Sequence, residues 1–316
     1  MILTLTLNPC IDKTLFVNQL ASGDRIVVRE YREIAGGKGS NVCRVLKGLG
    51  GEVVNFCLLA GYTGDRVSEL LQNEGIQVVP YYIPGLTRMV TTVVEAGWRQ
   101  TSFFEPPPLL TNDAASDLID IFVRYAEESD MVVACGSLPN CRVDLYQKLF
   151  EAIPGKKTVI DGRGEPLMRA LKAKPWLVKM NIAEAEETWR RSLQEWKDLT
   201  AFFLMLREGG VEWSIVTFGE RGVLLSGKHD LWAALPPRVE TVNPVGSGDA
   251  FLAAFLHTQG KTGDPREWLA WGVAAGAANA AVWDAAHVDV DQVERLLSKV
   301  KVFTPVMADL DELLGG

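Results

Sequence analysis

The chain is poor in the residues that build metal cages and disulfide frameworks. Five cysteines, at 10, 43, 57, 135 and 141, are scattered and form no CxxC pair. That spacing excludes a zinc knuckle and a disulfide scaffold, and leaves buried reduced thiols of a cytoplasmic protein as the reading. The three histidines lie far apart, at 229, 257 and 287, without HExxH spacing, so no histidine metal site is expected. No apolar run reaches the ~18 residues of a membrane span. The opening MILTLTLNPC alternates polar and apolar residues without a basic stretch, and reads as a strand, not a signal peptide. Low-complexity tracts and fixed-period repeats are also missing. Positive charge is in deficit, 32 Lys and Arg against 40 Asp and Glu, for a net −8. This argues against nucleic-acid and anionic-membrane partners, but not against a local anion site.

What is there is a long alternation of strand and helix patterns. The 316 residues, 47% hydrophobic and 23% charged, suit one large α/β domain or such a domain with a smaller unit attached. ILTLTLN, VVNFCLLA, MVVACGS, TVIDG, WLVKMN and WSIVTFG read as strands, with helical spacing between them. The alternation predicts a mainly parallel sheet covered on both faces, with ligands outside the carboxyl ends of the strands. Two segments break the pattern. Residues 10–35 carry short alternating runs around Ser22-Gly23-Asp24, and 87–105 read as a β-hairpin turning at Ala96-Gly97. The expectation is a β lid of 10–35 and 87–105 on a main domain of 1–9, 36–86 and 106–316.

Four stretches carry chemistry. In NPVGSGDAF (243–251) a glycine turn feeds a helix start, which exposes backbone N–H groups to an anion. Asp249 there is either a first-turn helix acid or the base that takes a hydroxyl proton during phosphoryl transfer. AGGKGSN (35–41) is another glycine turn before a helix, presenting Lys38 and Asn41. It is not a Walker A loop, because Arg32 stands where that pattern needs glycine and Gly39 follows the lysine. TFGERG (217–222) reads equally as a tight hairpin and as a nucleotide-phosphate loop. NIAE (181–184) is a capping-box helix start, or a site for water around Mg²⁺.

Taken in this order, the motifs resemble the ribokinase-like, phosphofructokinase-B carbohydrate kinases. The GGKG-N element is Gly36, Gly37, Lys38, Gly39 and Asn41, and the GAGD-like element is Gly246, Ser247, Gly248 and Asp249. The opening TLNPCID, Thr87-Arg88, GSLP (136–139) and VKMN (178–181) are similar to the 1-phosphofructokinase and tagatose-6-phosphate kinase branch. The resemblance implies a three-layer α/β/α fold with a small β-sheet lid, and transfer of phosphate from ATP with Mg²⁺ to a ketohexose phosphate. Fructose 1-phosphate leads the acceptors, followed by tagatose 6-phosphate and fructose 6-phosphate. A sugar-phosphate sensor without activity is the competing class. Carried over residue by residue, Asp249 is the base and Gly246 and Gly248 form the anion hole. Asp12, Gly36, Gly37, Asn41 and Ser137 meet the sugar, and Arg88 holds its phosphate with Arg25 and Lys38 as helpers. Asn181, Thr217, Gly219, Gly222, Ser247 and Gly248 line the nucleotide site, and Glu184 is linked to Mg²⁺. Paired lids would make a homodimer. The chain departs from the family's pattern at Met180, at Pro106, Pro107 and Pro108, and at Trp283 and Ala285, where a glycine is common.

Overall fold

A computed structural model describes residues 1–306 and 313–314. The expected main domain therefore continues, at 307–312 and 315–316, outside the described residues. Six strands form the parallel heart of the large sheet. They are β1 (Ile2–Thr6), β4 (Val53–Ala60), β5 (Gln77–Ile83), β8 (Met131–Cys135), β9 (Lys157–Asp161) and β10 (Leu177–Asn181). A seventh parallel strand, β11 (Trp213–Thr217), leads into three antiparallel edge strands: β12 (Val223–Ser226), β13 (Leu231–Leu235) and β14 (Lys301–Phe303). The order is β14-β13-β12-β11-β10-β9-β8-β1-β4-β5. The fold has three layers, helices on both faces of the large sheet, with a separate small sheet. β13 and β14 are additions to the sequence reading. Both are short, and β14 follows a helical stretch with little alternation of its own.

Helices cover both faces because the central strands are apolar on both. In β4, Val54, Phe56 and Leu58 join one core, and Val53, Cys57 and Leu59 the other, as the period-two alternation of strand side chains requires. The first core is closed by α3 (Asn112–Glu127), α4 (Leu145–Glu151), α5 (Gly164–Ala170), α6 (Ile182–Trp189) and α7 (Trp196–Glu208). The second is closed by α1 (Lys38–Gly48), α2 (Gly61–Asn73), α8 (Ser247–Gln259), α9 (Pro265–Ala280) and α10 (Val290–Leu297). Several tryptophans are packing residues of the second core: Trp213, Trp232 and Trp268 form an aromatic cluster with Phe255.

The small sheet runs in the order β3-β2-β6-β7, with β2 at Cys10–Phe16, β3 at Glu30–Gly36, β6 at Met89–Val94 and β7 at Gln100–Phe104. β3 continues one residue past the expected boundary, to Gly36, because Cys10 pairs with Gly36 in the ladder. Only Leu7, Asn8 and Pro9 separate β1 from β2. The base of the small sheet therefore stands at the carboxyl end of the large one.

Candidate active site

Asp249 sits in the first turn of α8, whose N-cap is Gly246 in a left-handed conformation (φ 83°) and which no side chain caps. The first amides of a helix have no intrahelical acceptor, so this end offers donors and positive potential to an anion. A side chain at Gly248 would come within 2.8 Å of Lys179 Nζ. Glycine is what lets that ammonium close on the helix start. Asp249 is only 5% exposed. Asn41 Nδ2 donates to its Oδ2 at 2.8 Å, and Arg44 Nη1 donates to Asn41 Oδ1 at 2.9 Å. Arg44 is itself held by Glu74 and by the Ala35 carbonyl, so α1 fixes the direction of the carboxylate. Burial pushes Asp249 up to about 6 against the pull of the Lys38 ammonium, and the Asp161 charge adds to the rise.

A buried ionic network lies beside it. Lys38 Nζ donates to Asp161 Oδ1 at 2.7 Å and to Glu184 Oε1 at 3.0 Å, while Lys179 Nζ donates to Asp161 Oδ2. Burial would raise Asp161, but Lys179 and Lys38 override it and hold the carboxyl at about 2. Lys38 stays charged well above the ordinary lysine range although burial opposes it, because Asp161, Asp249 and Glu184 surround it. Its direct contacts are thus carboxylates, with Arg88 elsewhere on the same cleft. Asp161 and Lys179 were absent from the sequence candidates. Their signal was partial: Asp161 ends β9 and Lys179 sits in the middle of β10, and a buried charge needs a partner, but the sequence does not say which.

On the other side of Lys38 a cleft of about 270 Å³ is lined by Thr6, Asn8, Gly37, Lys38, Arg88 and Ser137, among others. Asn8 Nδ2 donates to Ser137 Oγ at 2.9 Å. Asn8 Oδ1 and Arg88 Nε are buried without a hydrogen-bond partner among the described residues, an arrangement that costs stability unless a ligand completes it. Asp12 lies within the Arg88 field, and burial raises its carboxyl while the Cys10 thiol and Arg88 oppose the rise. Gly36 makes room for it: a side chain there would meet Asp12 Oδ2 at 2.1 Å. Arg25 is not brought to this cluster. It is exposed in the connection between β2 and β3, and no hydrogen bond or ion pair joins it to Asp12 or Arg88.

Asn181 and Thr217 are paired neighbours at the ends of β10 and β11. Asn181 Oδ1 accepts from the Glu184 N–H and Glu184 Oε2 accepts from the Asn181 N–H, both at 2.9 Å. This is the capping box read from NIAE, with the second carboxylate oxygen of Glu184 left for Lys38. Phe218 N–H donates to the Gly222 carbonyl at 2.8 Å, closing Gly219–Arg221 into a hairpin turn before β12. Among the described residues, no group of three or more His, Cys, Asp or Glu side chains is placed to hold a metal by itself. No helix among them is long and apolar enough to cross a membrane.

Residues 5–292 match the family described as pfkB family carbohydrate kinase. Phosphofructokinase-2 from Escherichia coli in complex with potassium superimposes with a TM-score of 0.88 at 26% identity, over 94% of this chain and 98% of that one. The same enzyme in complex with fructose-6-phosphate gives 0.82 at 25% identity over the same shares. A ribokinase from Thermotoga maritima, 20% identical, shares the fold with a TM-score of 0.77 over 94% of this chain and 99% of that one. With the match spanning nearly the whole chain and the helix-start carboxylate in place, the protein belongs to the pfkB family of carbohydrate kinases and is an ATP-dependent sugar kinase.

Proposed function

We propose that this kinase phosphorylates a ketohexose that already carries one phosphate, with fructose 1-phosphate, phosphorylated at O6, as first acceptor. Tagatose 6-phosphate at O1 and fructose 6-phosphate are the alternatives. The observation that carries the reading is Arg88: its buried Nε has no partner, and it lines the acceptor cleft with Asn8 and Ser137. A guanidinium suits a phosphate through paired N–H donors. An unphosphorylated sugar would leave it unmatched.

In this reading Arg88 anchors the phosphate, and Asp12, Asn8 and Ser137 orient the ring. Asp249, ionised above about pH 6, accepts the proton of the acceptor hydroxyl. The first amides of α8 and the Lys179 ammonium take up the charge that grows on the transferring group. Asn181, Thr217, Gly219, Gly222 and Ser247 face the nucleotide. Both Glu184 oxygens are already engaged, by Lys38 and the Asn181 N–H, so Glu184 would meet Mg²⁺ only through water; when bound, the ion would supply neutralisation of the triphosphate.

The test is ADP release with Mg-ATP against fructose 1-phosphate, tagatose 6-phosphate, fructose 6-phosphate and free fructose. Turnover of one phosphorylated ketohexose and not of free fructose is expected. Preference for free fructose overturns the reading. Arg88→Ala should raise the acceptor KM by about 10- to 100-fold, the worth of a charged hydrogen bond, and leave the ATP KM within a few-fold.

A further inference from the structure

The packing clusters leave Trp283 unexplained. It lies in the loop after α9, and its ring meets two aromatic rings of the small sheet: Trp98 at 5.2 Å and Phe16 at 5.8 Å between centroids. Next to it, Asp284 is 3.9 Å from Arg32 of β3, whose guanidinium also stands over the Phe16 ring. The other end of the loop backs the anion hole. A side chain at Gly246 would meet the Ala286 nitrogen at 2.9 Å and Ala285 Cβ at 3.3 Å. Ala286 N–H donates to Asn279 Oδ1 at 2.6 Å, and Asn279 Nδ2 donates to Ser247 Oγ at 3.0 Å and to the Val245 carbonyl at 2.8 Å. Asn243 Nδ2 donates to the Trp283 carbonyl. Every link from the outer end of the small sheet to the start of α8 is therefore a direct contact.

From this chain of contacts we propose that Trp283 is a positioning residue: docked on Phe16 and Trp98, it holds the 282–287 loop against Gly246–Ser247 and sets the anion-hole amides when the small sheet lies over the acceptor. The inference rests on the reading of those amides as the site of phosphoryl transfer. A tightly packed element behind a reacting centre transmits small displacements, and a shift of about 1 Å at a reacting group costs up to about 100-fold in rate.

Trp98→Ala tests it from a distance, since Trp98 is 66% exposed and its loss leaves the core intact. Hydrogen exchange of the 243–250 segment should speed up roughly tenfold in Trp98→Ala, an effect carried across the loop. Exchange within twofold of the parent overturns the proposal, whatever the acceptor proves to be. With an acceptor that the parent turns over, Trp98→Ala and Trp283→Ala should each lower kcat about 10-fold, with a smaller change in acceptor KM. Trp283→Phe should restore most of it, and the double variant should be no worse than the poorer single one. Losses that multiply, or that fall on KM alone, overturn it. If no acceptor turns over in the parent, the kinase assignment of the acceptor fails and the exchange result alone decides.

Discussion

Asp249 is a carboxylate kept where its charge is disfavoured. Its carboxyl is raised to about 6 by burial, so the reaction should need it ionised: kcat/KM should rise with pH up to about 6 and level off above. A profile flat from pH 5 to 8 contradicts its role as base. Asp249→Asn should lose about 10²–10⁴ in kcat, the usual worth of a general base. The same shift makes a stability statement. Between the ordinary carboxylate range and about pH 6 the folded state binds more protons than the unfolded chain, so Asp249 costs stability as pH rises through that window. Asp249→Asn should therefore melt higher than the parent at pH 7.5, by the order of 1 kcal/mol, and gain little at pH 4. Equal melting temperatures at both pH values would show that the neighbouring lysines cancel the cost.

At the scale of elements, the site depends on two glycine turns that bring backbone against charge. Gly36→Ala places a methyl carbon on Asp12 Oδ2. The acceptor KM should rise about 10-fold or more as that carboxylate is displaced, with the ATP KM nearly unchanged. A variant with both constants intact shows that Asp12 does not bind the sugar. The sequence made these turns readable, because GGKG and GSGD each precede a clear helical pattern, and the parallel strands stood out as apolar runs. Asp161 and Lys179 were harder. Each is one charge inside an apolar strand, and their pairing joins residues distant in the chain through strand order, which no local pattern states. β13 and β14 escaped because short strands near a sheet's end take their structure from neighbours. For TFGERG the structure decides the local form, a hairpin turn; a hairpin turn can still face a nucleotide.

At the scale of the molecule, the small sheet exposes Tyr31, Phe103 and Phe104, at 62, 55 and 70%, on its two edge strands. Unpaired edges with exposed aromatics invite a second sheet, and the pairing of two lids into a homodimer is the assembly we propose. Light scattering of the parent should give a dimer mass, and Phe104→Glu should shift it toward the monomer; a monomeric parent rules the assembly out. The position of Asp12 has a further consequence. It lies near the base of β2, two residues from the start of the strand, whereas Phe16 is at the far end, about 13 Å further along an extended chain. On the reading of Asp12 as the sugar contact, the small sheet is a lever with that contact close to the fulcrum and its aromatic contact on the long arm. Any swing large enough to part Trp98 from Trp283 displaces Asp12 by only a fraction of that distance. On the same reading, substrate recognition and the seating of the lid would be geared at different ratios, and the acceptor would be gripped before the lid is fully seated.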